Sequence, residues 1–211
     1  MGIKLSDWLE RSATRIDLTS RVTHLTKESI IDGLQKSTAE IIFKMLDEEI
    51  IVGSNPGSSF IVGSHSAVCF QDAPLYSLAQ NILFERNYRK KYGYDNIRYR
   101  ASGLSFKKQL AFKQGARPVF YDKTEVAKML LPEDDWWRIV RLDLDNTNDF
   151  VDWTHEREWR IKGNFNFRRK DVLVILSTKK EYAKFLDICL DERKPYFREV
   201  EGIVIMQSLL I

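Results

Sequence analysis

Apolar positions between Lys27 and Glu49 (Ile30, Ile31, Leu34, Ile41, Ile42, Met45 and Leu46) recur at helical spacing. They predict an amphipathic helix, broken near Gly33. A loop of Gly, Ser, Asn and Pro follows, "GSNPGSS". "FIVGSHSAVCF" then predicts two short strands around a turn. In "DAPLYSLAQNILFERNYRKKYGY" Asp72 is a candidate cap and Pro74 stands in the first turn, with Leu75, Leu78, Ile82 and Leu83 on the apolar side. This helix ends in basic residues.

"GLSFKKQLAFKQGARPVFYDK" predicts a strand, a short helix, a Gly turn and a second strand. "KTEVAKMLLP" predicts a helix that stops at Pro132, and "WWRIVRLDLD" suits helix or strand. "DVLVILST" predicts a strand, "KKEYAKFLDICLDE" a helix and "GIVIMQSLLI" a last strand. Helices crowd the first part, and strands come later, mixed with helices. The expected class is α+β in one domain, residues 1–211, with residues 1–20 as an N-terminal helical extension.

Composition narrows the function classes. With 211 residues, 44% of them hydrophobic and 12% aromatic, the chain can bury a real core. A formal net charge of +3 excludes a polycation, so a nucleic-acid contact has to come from a local patch. Cys69 and Cys189 lie in apolar runs and read as reduced, buried thiols. No spaced Cys/His cluster marks a metal site. "MGIKLS" matches a short myristoylation pattern, Gly2 followed by Ser6, but no apolar signal core or spanning run is present. The expectation is a soluble, cytoplasmic protein with no membrane partner.

One stretch is chemically crowded. "DWTHEREWRI", Asp152 to Ile161, holds two tryptophans, two glutamates, two arginines and one of three histidines. As a strand it puts Trp153, His155, Arg157, Trp159 and Ile161 on one face and Thr154, Glu156, Glu158 and Arg160 on the other. Two carboxylates on one pleat repel each other unless a cation or a ligand answers them. The plain alternative is a charged edge strand with Arg160 neutralising the pair. As a helix, Glu156 and Arg160 form an ordinary i,i+4 pair.

A second crowded stretch is "FERNYRKKYGYDNIRYR", with Arg86, Arg89, Lys90, Lys91, Arg98 and Arg100 among Tyr88, Tyr92, Tyr94 and Tyr99. Cations match phosphates and tyrosines offer faces to unpaired bases, so single-stranded RNA or DNA is the expected partner. "NFRRKD" adds Arg168, Arg169 and Lys170. The plain alternative is a solvated helix end whose cations suit the helix dipole.

Several short motifs then fall in one order: His24-Leu25-Thr26, "FKMLDEEIIVGS", "AVCFQDAPLYSL", "ASGLSFKKQLAFKQGARPVFY" and Glu156-Arg157-Glu158. This order resembles the DarT-like ADP-ribosyltransferase toxins and the related abortive-infection (AbiGi-type) phage-defence proteins. The resemblance covers roughly His24 to Ile161. One position departs: where the DNA-modifying toxins carry an arginine after the second strand, this chain has Gln71-Asp72.

The resemblance implies an ADP-ribosyltransferase-like split, mixed or antiparallel sheet with flanking helices. It implies NAD as substrate and a nucleic acid, RNA or single-stranded DNA, as acceptor. By family pattern Glu158 stabilises an oxocarbenium-like ribose and Glu156 orients or deprotonates the acceptor. His24 holds a ribose hydroxyl, supported by Thr26, and Tyr99, Phe106 or Tyr121 stacks on nicotinamide. No metal is required. A toxin of this class needs an inhibitor protein, for which Trp8 with the N-terminal helix, or Trp136-Trp137, are candidate contacts.

Two other classes remain open. One is a non-catalytic module of a phage-defence system on the same fold, binding nucleic acid or a partner, with both glutamates serving only in salt bridges. The other is a nuclease, for which Asp143, Asp145 and Asp149 are the nearest acidic group.

Overall fold

The computed structural model describes residues 2–57, 60–94, 100–145, 147 and 150–209. Helix α1 (Leu5–Thr14) leads into strand β1 (Arg21–Thr26), and strands β2 (Ser29–Ile31) and β3 (Leu34–Lys36) precede helix α2 (Thr38–Glu48). Then come β4 (Ile50–Ile51), β5 (Ala67–Gln71), helix α3 (Leu75–Tyr92) and β6 (Ser102–Lys107). Helix α4 (Lys108–Lys113), β7 (Arg117–Pro118), β8 (Phe120–Asp122), helix α5 (Thr124–Leu130) and β9 (Ile139–Arg141) follow. The last are β10 (Glu158–Lys162), β11 (Phe165–Asn166), β12 (Leu173–Leu176), helix α6 (Lys179–Asp191) and β13 (Gly202–Ile205). The chain is α+β with mixed strand pairing.

The chain comprises two compact units, each assembled from separate segments. The first comprises Met1–Glu49, Ala73–Lys107 and Phe167–Ile211; the second comprises Ile50–Asp72 and Lys108–Asn166.

In the first unit β6 pairs antiparallel with both β1 and β12, and β12 runs parallel to β13. Leu104, Phe106, Val174, Ile175 and Leu176 are fully buried there. β6 also carries Ser102 and Ser105 into the core with no exposed surface. Each has a partner: Ser102 Oγ accepts from the Ser177 N–H at 2.9 Å, and Thr23 Oγ1 donates to Ser105 Oγ at 3.1 Å. Paired hydroxyls are what make a central strand with polar residues tolerable.

Helix α2 starts at a capping box. The Glu40 N–H donates to Ser37 Oγ, and the Ser37 N–H donates to Glu40 Oε2 at 2.9 Å. Glu181 of α6 adds an acceptor for the Thr38 hydroxyl (2.6 Å) and the Ala39 N–H (3.1 Å). Caps of this kind contribute about 1 kcal/mol each. Ala39, Ile41, Ile42 and Leu46 then form the buried face that packs on α6.

Only the second half of the predicted Lys27–Glu49 helix forms. Ile30, Ile31 and Leu34 belong to a β2–β3 hairpin closed by Asp32 (φ 51°) and Gly33 (φ 75°). Positive φ at both central residues is the type I′ turn that Asp-Gly favours. Local turn chemistry therefore overrode the apparent helical spacing. Of the two strands predicted in "FIVGSHSAVCF", only β5 forms; the segment before it turns at Gly63 (φ 87°). Pro74, not Asp72, occupies the N-cap position of helix α3, and no side-chain cap hydrogen bond forms there.

In the second unit β10 pairs antiparallel with β5 on one side and β7 on the other. β8 runs parallel to β9, and β11 pairs with β4. Among the described residues no helix is long and apolar enough to cross a membrane.

Gly103 faces Leu25 across β1–β6, and an added Cβ would lie 1.9 Å from the His24 carbonyl oxygen. Gly103→Ala is expected to lose about 1–3 kcal/mol of stability through this backbone clash. Chemical denaturation checks this, and an unchanged midpoint would contradict the close approach.

Candidate active site

The chemically dense part of the second unit is built on β5 and β10. Register places Glu158 opposite Gln71 and Arg160 opposite Cys69. Side chains alternate along strands, so these four share one face. Phe70, Val68, Trp159 and Ile161 share the other, where Phe70 meets Phe165 edge-on at 5.1 Å. The apolar face anchors the strand pair and the polar face carries the chemistry.

That polar face is largely removed from water. Arg160 is 2% exposed and Glu158 7%. Buried charges survive only when paired and hydrogen-bonded, and both conditions hold. Arg160 Nε donates to Glu158 Oε1 at 2.7 Å and Nη2 to Oε2 at 3.3 Å. Its Nη1 donates to the carbonyls of Trp137 (2.9 Å) and Ile139 (3.0 Å). The guanidinium fork thus spans carboxylate and backbone at once. Burial disfavours the Arg160 charge, but Glu158 outweighs it and the pKa is raised.

Glu156 is not on the strand. Thr154–Glu156 form a 3-10 turn, and Arg157 takes a left-handed conformation (φ 45°, ψ 53°) before β10 begins. The expected alternation from Trp153 to Ile161 is therefore corrected: Trp153, His155 and Arg157 do not share a strand face with Trp159. The turn is stapled by the Arg157 N–H to Thr154 O (3.0 Å) and the Asp72 N–H to Arg157 O (3.2 Å). Glu156 is 5% exposed and close enough to Cys69 and Tyr121 to act on both electrostatically.

Tyr121 braces the start of β10. Its hydroxyl oxygen accepts from the Glu158 N–H at 2.8 Å, while Glu158 O accepts from the Val119 N–H at 3.1 Å. Burial, with the charges of Glu158 and Glu156, pushes the Tyr121 hydroxyl up to about 12. Burial and Glu158 likewise push the Cys69 thiol well up. Both stay protonated near neutral pH, so the glutamates face neutral groups and one cation. Beside them Asp72 and Lys108 form an ion pair at 2.7 Å.

Tyr121, Glu156 and Glu158 thus come together in one unit. His24 and Thr26 lie on β1 in the other, opposite Leu104 and Ser102. Phe106 is corrected: it is fully buried and packed against Phe167 at 5.2 Å, so its ring has no face for nicotinamide. Trp137 is 6% exposed, packed with Ile61 and Ala67, and offers no surface to an inhibitor. Helix α1, by contrast, buries none of its residues. Tyr99, Arg98 and Asp149 lie outside the described residues. Asp143 and Asp145 are engaged by Lys123, and among the described residues no group of His, Cys, Asp and Glu could hold a metal ion.

Sequence spacing missed two features. The carbonyls of Trp137 and Ile139 that complete the Arg160 shell leave no trace in residue type. Gln71 Oε1 and Trp137 Nε1 are buried side-chain polar atoms without a hydrogen-bond partner, visible only once packing is known.

On α3 the basic stretch also changes. Arg89 pairs with Glu85 (3.3 Å) and Arg100 with Glu28 (2.9 Å), so both already carry a carboxylate partner. Arg86, Lys90 and Lys91 are exposed. Phe84, Tyr88 and Tyr92 recur every fourth residue, with ring centroids 6.1 and 4.7 Å apart. Tyr94 stacks on Tyr88 at 6.4 Å, and Lys91 Nζ lies 5.2 Å from the Tyr92 ring centre. Phe84 belongs to this exposed aromatic row, although the basic spacing did not single it out.

Removing one partner of a buried pair strands the other charge. Arg160→Met is expected to lose about 3–5 kcal/mol in urea denaturation, and Glu158→Leu/Arg160→Met to recover most of it. A loss below about 1 kcal/mol in the single variant would contradict a dry, paired site.

No protein-family model matches the chain, and neither does any curated protein or solved structure.

Proposed function

We propose that the chain is an NAD-dependent ADP-ribosyltransferase on an ADP-ribosyltransferase-like fold, with Glu158 and Glu156 as its catalytic carboxylates. One observation carries this: two buried glutamates flank a left-handed turn, and Arg160 holds one of them as a fixed anion. A carboxylate has about four lone-pair positions, and the guanidinium fork engages one donor on each Glu158 oxygen. The remaining positions can accept from a ribose hydroxyl.

In the proposed reaction the bond between ribose C1′ and nicotinamide nitrogen breaks, and nicotinamide leaves with the electron pair. Positive charge develops on C1′ and the ring oxygen. A preorganised anion in a water-poor site stabilises that charge more than water does. The acceptor nucleophile then bonds to C1′ and its proton passes to Glu156. Tyr121 positions the pair through the Glu158 backbone. For His24 and Thr26, the ribose-holding role implied by the resemblance is a separate proposal, tested by His24→Ala in the same assay.

The aromatic and basic row on α3 favours a nucleic-acid acceptor. Exposed rings give sequence-tolerant stacking faces, and Arg86, Lys90 and Lys91 match phosphates. The same row supports the alternative of a binding module without catalysis, and NAD turnover separates the two.

Glu158→Gln and Glu156→Gln are each expected to slow nicotinamide release from NAD at least about 100-fold. Circular dichroism on the same samples establishes that they are folded, which matters most for Glu158→Gln because it weakens the hold on Arg160. Unchanged release in a folded variant sinks the assignment. For the acceptor, fluorescence anisotropy with a labelled single strand should show binding that falls steeply with salt and is lost in Phe84→Ala/Tyr88→Ala/Tyr92→Ala. No binding at low salt would remove nucleic acid as the acceptor.

A further inference from the structure

Gln71 ends β5 directly opposite Glu158, on the same face of the strand pair. It is 7% exposed, and its Oε1 has no hydrogen-bond partner. A buried acceptor left unmade costs about 1–3 kcal/mol. The cost is compounded here because a partly negative oxygen stands next to the Glu158 anion. An apolar side chain of similar length would fill the position without that cost. An acceptor kept under these conditions answers a donor that arrives with a ligand.

The sense of the atom limits the ligand group. Oε1 only accepts, so phosphate and carboxylate oxygens are excluded as its partners. On NAD the donors are ribose hydroxyls, the nicotinamide carboxamide and the adenine amino group. Glu158, in the transferase reading on which this step rests, takes a ribose hydroxyl. The group bonded to that ribose at C1′ is nicotinamide, and its carboxamide carries two N–H donors. Directly opposed antiparallel residues have Cβ atoms about 4.5–5.5 Å apart. That spacing suits one side chain on the ribose and its neighbour on the adjoining ring.

We propose that Gln71 Oε1 accepts a hydrogen bond from the carboxamide of nicotinamide, making Gln71 the residue that distinguishes NAD from its deamidated analogue. Nicotinic acid adenine dinucleotide replaces the donor with a carboxylate, which would face both Oε1 and Glu158. A site built around a hydrogen bond rejects an analogue lacking it far more strongly than an apolar pocket does.

Titration calorimetry on the whole chain tests the idea, with NAD and nicotinic acid adenine dinucleotide as probes. The wild type should prefer NAD by about 100-fold or more. Gln71→Met should cut that preference at least tenfold, with Gln71→Leu as a second variant of similar effect. Because the wild-type oxygen is unpaired without ligand, neither variant should lower the thermal midpoint. Equal affinity of the wild type for both dinucleotides, no NAD binding, or an unchanged preference in Gln71→Met overturns the proposal. A lowered midpoint in both variants does so too, by giving Gln71 a structural role. Amide-selective binding without nicotinamide release would leave Gln71 its role and sink the transferase reading alone.

Discussion

The second unit depends on a buried ion pair. Glu158 and Arg160 stand two residues apart on β10, both nearly removed from water. Desolvating two charges costs several kcal/mol per ion, and only close geometry with further hydrogen bonds offsets it. That requirement dictates the surroundings: Trp137 and Ile139 must turn their carbonyls toward the guanidinium, so β9 and the turn before it have little freedom. Tyr121 and Val119 must hold the Glu158 backbone. A hydrophobic pair would be cheaper to bury. Keeping an anion there makes sense if a developing cation is to meet it.

The left-handed Arg157 is the second constraint. An L-residue at φ 45° is uncommon and is retained when surrounding bonds over-determine it. Here the Thr154 carbonyl and the Asp72 N–H do so. The turn takes Glu156 off the strand, relieving the repulsion that two carboxylates on one pleat would suffer. It also lets each carboxylate meet a different environment: Glu158 sits on β10, paired with Arg160, while Glu156 sits on the turn before the strand. Two carboxyl groups with different surroundings can divide the work of electrostatic stabilisation and proton acceptance.

Much was legible wherever local chemistry and burial agree. "DVLVILST" is apolar because β12 is buried, and the stop at Pro132 follows from the missing N–H. Legibility failed where two local signals competed. Ile30, Ile31 and Leu34 sit at helical spacing, yet Asp32-Gly33 closes a hairpin between them. In "DWTHEREWRI" spacing suited strand and helix alike, and the chain forms a 3-10 turn, a positive φ at Arg157 and only then strand β10. Phe106 was a candidate stacking ring because residue type does not report burial, and β6 carries it into the core.

By itself the sequence determined the α+β class and the chemistry available along the chain; that Arg160 pairs with Glu158 followed only once β10 formed as a strand, where residues two apart share a face. Tertiary structure decided which charges became dry, because their partners Trp137, Ile139 and Tyr121 lie between 21 and 37 residues away in the chain and are invisible to local spacing. It also decided which cations of the basic stretch carry a carboxylate partner, since Glu28 lies 72 residues from Arg100. Gln71 shows the division most clearly. Its amide is plain in the sequence, but only the β5–β10 register sets it beside Glu158, and only packing leaves its oxygen without a donor.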